Sequence, residues 1–340
     1  MNSFPLVALR SITNTTPCIW QARLMGAKAG SLLADVGFSG KVLAVLSTTV
    51  YLLGDDGEII WVALEAMPLH RRCLRASFQP GPLRAGQVFF NQNGHLRIGR
   101  DAAIELDQAI AWEPLAIMPE QAEPLAVVNS RLQRLWALLP EPGKGAGLGQ
   151  AIPLIAAVAG GTEKTAFPRD SMIARALNPI LDLARACLRN NMAEVAHKGR
   201  ELVGLGPGLT PSGDDFLGGL FFAAHSLKRA YPVDFYWGRG VITDLMGWAR
   251  TQTHSISHTV LSDLALGHGP EPLHEVVKSL LTGQNLRYLT SAVTRLLEIG
   301  HTTGWDILAG ALTGMLLVKG RLNRFRGPAV PDSEISGFGF

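Results

Sequence analysis

Twelve consecutive residues, Gly204-Leu205-Gly206-Pro207-Gly208-Leu209-Thr210-Pro211-Ser212-Gly213-Asp214-Asp215, constrain this chain more than any other stretch. Four glycines and two prolines in that span exclude both helix and strand. Glycine permits positive φ and close backbone approach, while proline fixes φ and stiffens the chain. The apolar run that follows, Phe216 to Phe222, has helical character, so the loop feeds a helix N-terminus. Unpaired N–H groups and the positive end of the helix dipole meet there, which suits a small anion.

A second segment repeats the pattern. Residues 212–219 align with residues 303–310 as Ser/Thr, Gly, any residue, Asp, apolar, Leu, small, Gly. Asp215 and Asp306 are thereby equivalent, and so are Gly219 and Gly310, where a missing side chain lets another backbone come close. The expectation is two similar helix starts packed together, with both aspartates facing one cavity. A plainer alternative is a capping box, in which Ser212 or Thr303 caps its own helix and the acid three residues on bonds back. That alternative leaves the Gly-Pro run, the extra Asp214 and the His301-Thr302 pair unexplained.

These loops supply the candidate site. Gly206, Gly208, Thr210, Ser212, Gly213, Asp214, Thr302, Thr303 and Gly304 are candidates for binding an anion or amide. Asp215 and Asp306 are candidate catalytic carboxylates, and His301 is the acid–base candidate beside the second loop. Asp214, Asp215 and Asp306 could together hold Mg²⁺, a hard cation that favours carboxylates. A carboxylate pair acting as general base is the other option, and the sequence leaves both open. Between the loops, residues 251–259 are dense in hydroxyls and imidazoles, with Thr253 and Ser257 as further binding candidates. His254 and His258 have the i, i+4 spacing of two metal ligands, but no Glu follows the first, so a pair with no metal is the favoured reading.

The remainder divides in two. Short β-type runs at 41–47, 48–53, 58–63, 87–91, 95–98 and 102–106 are separated by turn residues, including Asp56-Gly57 and Asn93-Gly94. They predict a small β-rich barrel or sandwich. Helical spacing begins at 127–139 and ends at a Pro/Gly run, 140–149, read as a boundary or hinge rather than as a phosphate loop, since the Gly-Lys-Ser/Thr ending is missing. Helices are expected at 170–189, with Pro179 kinking or restarting it, and at 192–202, 241–249, 273–281 and 286–298. The fold class is therefore α+β, with a β-rich domain over residues 1–140 and a mostly α-helical domain over 141–340.

Composition excludes several classes. The net charge is +3 with no Lys/Arg block, so nucleic acid is not an expected partner. The basic tail at Lys319, Arg321, Arg324 and Arg326 reads as a solvated helix end. Cys18, Cys73 and Cys187 have neither zinc nor disulfide spacing, which fits a reducing compartment. The apolar stretches 151–159 and 216–224 are too short to span a bilayer. Residues 1–16 lack the pattern of a signal peptide, so a cytoplasmic location is expected.

Residues 204–217, the later Gly300-His301-Thr302-Thr303-Gly304-Trp305-Asp306, and the middle stretch 253–257 resemble the signature motifs of the AllH-type family. The resemblance covers roughly the last half of the chain and is only general over the β-rich part. It implies a subunit of an oxamate carbamoyltransferase, joined to two other subunits, one of them related to acyl-CoA synthetases. Such a complex is implied to convert oxalurate and phosphate into oxamate and carbamoyl phosphate in anaerobic allantoin degradation, a branch of purine catabolism. The implied ligands are phosphate, carbamoyl phosphate or a small ureido acid, and no cofactor beyond the open question of Mg²⁺ is implied. Two other classes stay open: a non-catalytic scaffold or regulatory subunit, and a Mg²⁺-dependent kinase or hydrolase, for which no Walker loop or kinase signature is present.

Overall fold

The structure is a computed structural model that describes residues 18–100, 102–143, 146–162, 171–238 and 240–326. Expectations resting on residues 1–16, Asp101, Lys144, Gly145 and Asp170 lie outside the described residues. The chain divides into two compact units, residues 1–113 and 114–340.

The first unit holds strands β1 (Cys18–Gly26), β2 (Ser39–Val45), β3 (Thr49–Gly54), β4 (Ile59–Leu64), β5 (Cys73–Ala76), β6 (Val88–Gln92), β7 (His95–Ile98), β8 (Ala102–Glu105) and β9 (Ile110–Trp112), with helix α1 (Ala27–Leu33) after β1. The sheet order is β5-β4-β3-β2-β6-β7-β8-β1-β9, and a β5–β1 pairing closes eight strands into a barrel with β9 as an extra strand. The barrel, not the sandwich, is therefore the form taken. Closure depends on β1, which pairs parallel with β8 through Cys18 to Gln21 and antiparallel with β5 through Ala22, Leu24 and Met25. The expected turns form: Gly57 has φ +85° between β3 and β4, and Asn93 and Gly94, at φ 50° and 72°, form a two-residue turn of the type that matches strand twist. Val50, Leu52, Ile60, Val62, Phe89 and Leu96 fill the interior.

The second unit is helical: α2 (Leu125–Leu138), α3 (Ile152–Gly160), α4 (Ser171–Leu188), α5 (Met192–Gly199), α6 (Ser212–Ala230), α7 (Gly240–Ala249), α8 (Ser255–Ala265), α9 (Glu271–Thr282), α10 (Leu286–Leu297) and α11 (Thr303–Arg326). Helix α2 buries Val128, Leu132 and Leu135 in the core of this unit. Helix α4 runs through Pro179 without a break. The carbonyl freed by the missing N–H belongs to Arg175, an exposed residue that water can reach. No described helix is long and apolar enough to cross a membrane.

Helices α6 and α11 form the centre. Both are apolar on nearly every face, the mark of a helix enclosed by others. They cross at the two glycines singled out by the repeat. A Cβ on Gly219 would overlap the Ile307 carbonyl oxygen, and one on Gly310 would overlap the Phe216 carbonyl oxygen. Phe216 and Ile307 are themselves equivalent in the repeat, so the crossing is a local two-fold arrangement of two related segments.

Candidate active site

The repeat extends beyond its sequence motif. Helices α5 and α10 are each capped by an asparagine, with Asn191 accepting from the Glu194 N–H and Asn285 from the Tyr288 N–H. Further on, Gly213 donates its N–H to the Leu205 carbonyl at 2.8 Å, as Gly304 does to Ile299 at 3.0 Å. A Cβ on Gly213 would overlap the Leu202 carbonyl oxygen, as one on Gly304 would overlap that of Leu296. The two helix–loop–helix units differ mainly in the first loop, which carries three additional residues, Pro207-Gly208-Leu209.

The two helix starts meet through side chains that cross from one to the other. Asp215 on α6 accepts from Thr303 at the start of α11 and from Thr210 in the first loop. Asp306 on α11 is faced by the hydroxyls of Ser212, at the start of α6, and of Thr302, which favour its ionised form. The hydroxyls approach each other in turn, with Thr210 Oγ1 3.4 Å from Thr303 Oγ1 and Ser212 Oγ 3.4 Å from Thr302 Oγ1. This is not the capping-box alternative. Helix α6 opens behind Pro211, which makes no side-chain cap, and Ser212 serves the aspartate of the other helix.

Both aspartates are buried, with 2% and 0% of their surface exposed for Asp215 and Asp306. Two ionised carboxylates so enclosed would be very costly. Burial pushes the Asp306 carboxyl up to about 6, although Ser212, Thr302 and the Leu148 and Gly149 N–H groups favour its ionised form. Burial, and then the charge of Asp306, raise Asp215 well above the ordinary carboxylate range. Burial and mutual repulsion therefore both favour a protonated carboxyl in the pair. Asp215 Oδ2 and Asp306 Oδ2 have no hydrogen-bond partner.

A third segment, 147–149, completes the cluster instead of serving only as a boundary or hinge. Leu148 N–H donates to Asp306 Oδ1 at 2.6 Å, and Gly149 N–H, which donates to the Ala146 carbonyl at 2.8 Å, lies near enough to favour the ionised carboxylate. Gly147, at φ 53°, lies so close that a Cβ would overlap Asp306 Oδ1, and a Cβ on Gly149 would lie 2.9 Å from the Trp305 side chain. The Gly-Leu-Gly triplet was the available signal. Its backbone donors bind a carboxylate of this same chain rather than a phosphate.

Asp214 has a different job. Its Oδ1 accepts from Gly204 N–H at 2.8 Å, and its Oδ2 accepts from the Thr253 hydroxyl and from Ser257 Oγ at 2.6 Å. The middle motif thus fastens the base of the first loop through Asp214. Thr253 and Ser257 are engaged there and do not join the Asp215–Asp306 cluster. Among the described residues no group of three or more His, Cys, Asp or Glu side chains could hold a metal ion, so Asp214, Asp215 and Asp306 do not converge as Mg²⁺ ligands. His301 is exposed beside the second loop, His254 is exposed, and the His258 ring nitrogen is 3.0 Å from the Met246 carbonyl.

The first loop remains open to a ligand in one respect. The N–H groups of Gly213, Asp214 and Asp215 are taken by Leu205 and Pro211 carbonyls. Those of Gly206, Gly208, Leu209, Thr210 and Ser212 find no partner among the described residues. Gly206 and Gly208, at φ 120° and 97°, give the loop a conformation closed to other residues without strain. The N–H groups without a partner among the described residues are therefore in the loop rather than along the first turn of the helix.

Residues 202–315 match the model of the family described as oxamate carbamoyltransferase subunit AllH. The matched segment contains both loops, the middle motif and the two aspartates, and it bears out the resemblance carried by those motifs. No solved structure matches the chain.

Proposed function

We propose that this chain is the subunit of an oxamate carbamoyltransferase-type complex that holds the carbamoyl group while it passes between a ureido acid and phosphate. In the direction of carbamoyl phosphate formation, a phosphate oxygen attacks the terminal ureido carbonyl of oxalurate. The bond from that carbonyl to the inner nitrogen breaks, the nitrogen takes a proton, and oxamate leaves. The chemistry makes two demands: donors for the negative charge that develops on the carbonyl oxygen, and a proton for the leaving nitrogen.

The unpaired N–H groups of Gly206, Gly208, Leu209, Thr210 and Ser212 meet the first demand. The Asp215–Asp306 pair meets the second. The Thr210 hydroxyl, bonded to Asp215 and half-buried in the loop, links the pair to the ligand side. His301, exposed at the second loop, exchanges the proton with solvent. The observation that carries this reading is the buried carboxylate pair, enclosed by two family-matched helix starts, with a loop whose backbone donors have no partner among the described residues.

The test is oxalurate formation from carbamoyl phosphate and oxamate by the assembled complex. Asp215→Asn should lower turnover by about 10² to 10⁴, the usual contribution of a positioned acid or base, without lowering the melting temperature. Full activity in that variant would overturn the assignment. The complete burial of both aspartates favours a second reading, in which the pair locks the two helices of a non-catalytic subunit. That reading requires Asp215→Asn to leave turnover intact while partner subunits dissociate during purification.

A further inference from the structure

Beside the first loop lies an open cleft of about 530 Å³, lined by Met172 and Arg175 of α4, by Glu201, and by residues 203–207. Its size suits a small molecule. Arg175 is exposed, lines the cleft, and has no ion-pair or hydrogen-bond partner among the described residues. Glu201, the one carboxylate among the described lining residues, is held by Lys198 at 3.4 Å. A planar guanidinium left free in a cleft is shaped to take a carboxylate through two parallel hydrogen bonds.

Gly206 joins this cleft to the loop donors. A Cβ there would lie 2.9 Å from the Ser212 nitrogen and 3.5 Å from Met172 Sδ, so its bare backbone separates the free Ser212 N–H from the cleft by the width of one residue. The cleft also marks where the two repeats part company. Its lining ends at Pro207, the first of the three residues that the second loop lacks.

We propose that this cleft is the subsite for the carboxylate of the ureido acid and of oxamate, with Arg175 as its anchor. The proposal rests on the reading of the first loop as holder of the carbamoyl group. The ligand then spans Gly206, its carboxylate against Arg175 and its carbamoyl end under the loop N–H groups. Arg175 lies outside the segment that the family model matches.

The experiment is calorimetric titration of the full chain with oxamate, with oxamide (its neutral counterpart of nearly equal size), with inorganic phosphate and with carbamoyl phosphate. Wild type, Arg175→Ala and Arg175→Gln are compared after circular dichroism has verified their fold. Wild type should bind oxamate, and both variants should bind it about tenfold to a hundredfold more weakly, the effect of losing a charge-assisted pair. Oxamide should bind wild type no better than oxamate binds the variants. Phosphate and carbamoyl phosphate should be unaffected by either substitution. The subsite is overturned if wild type does not bind oxamate, if the variants bind it as well as wild type, if oxamide equals oxamate, or if phosphate is lost in parallel. Carbamoyl phosphate binding without oxamate binding would remove the subsite and leave the reading of the loop standing. Arg175-dependent oxamate binding without carbamoyl phosphate binding would remove the reading of the loop and keep the subsite.

Discussion

Replacing Asp306 with asparagine should make the helical unit more stable at neutral pH. Asp306 Oδ1 accepts from Leu148 N–H at 2.6 Å, a bond that an asparagine oxygen can keep. Asp306 Oδ2 has no partner, and the amide that replaces it can donate towards Asp215. In the unfolded chain the carboxyl titrates near 3.8, and in the folded protein near 6. Between those values the folded state binds more protons than the unfolded state, so stability falls as the pH rises through the window. The stabilising contribution is complete below 3.8 and gone above about 6. A rise of that size corresponds to about 3 kcal/mol. Asp215 is raised by burial and by the Asp306 charge, so it acts in the same direction and continues to do so at higher pH.

Urea denaturation, followed by far-ultraviolet circular dichroism between about pH 5 and pH 8, measures the effect. Wild type should lose stability across that range, by about 1 to 1.5 kcal/mol from Asp306, whose effect is more than half gone by pH 5, and more from Asp215. Asp306→Asn should show a smaller slope and exceed wild type by about 2 to 3 kcal/mol at pH 8. A wild-type stability that is flat or rising over this range, together with a less stable variant at pH 8, would refute the upward shift of the buried pair. If the gain in stability appears together with loss of turnover, the pair is an arrangement that weakens the fold for the sake of chemistry.

The helix crossing and the base of the loop give two further expectations. Gly219→Ala and Gly310→Ala should each cost about 2 kcal/mol or more, because each new methyl overlaps a backbone carbonyl, and the double variant should cost less than their sum, since one separation of the helices relieves both overlaps. Strict additivity in urea denaturation would show that the two glycines do not share one contact. Asp214→Ala leaves the Gly204 N–H and the Thr253 and Ser257 hydroxyls without their acceptor, so it should lower stability by about 2 to 4 kcal/mol. It should also expose the loop to limited proteolysis near Gly204, and unchanged cleavage there would contradict the fastening role of Asp214.

What the sequence revealed was whatever depended on neighbours along the chain. The turns at Gly57 and Asn93-Gly94 are local, and they formed as expected. Gly219 and Gly310 were legible because the repeat aligned them, and a glycine in an apolar helix has few other uses. Strand β1 was not anticipated, since Cys18 to Gly26 has no strict alternation and its pairing partners lie at residues 74–76, 102–105 and 110–112. The amide donor at Leu148 could not be read either, because its acceptor lies more than 150 residues further on. Hydroxyl density correctly marked Thr253 and Ser257 as hydrogen-bonding residues, but density does not say to what. The Ser/Thr-x-x-Asp spacing was ambiguous for a physical reason. The same hydroxyl and carboxylate can serve one helix or be exchanged between two, and only packing decides.

The local two-fold arrangement explains why two aspartates stand together at all. Where two copies of a segment cross about an axis, residues near that axis meet their own equivalents. Gly219 and Gly310 meet across the crossing as bare backbone, and Asp215 and Asp306 meet as two buried carboxyls. Symmetry alone would give both carboxyls the same proton affinity. The surroundings break the tie. Asp306 receives the Leu148 N–H, and the nearby Gly149 N–H also favours its ionised form. Asp215 receives only the hydroxyls of Thr210 and Thr303 and is raised further by its neighbour. Environments that push two titrating groups apart create an acid and a base from one residue type. Here the asymmetry comes from the segment at 147–149 and the longer first loop, the parts that the duplication does not share.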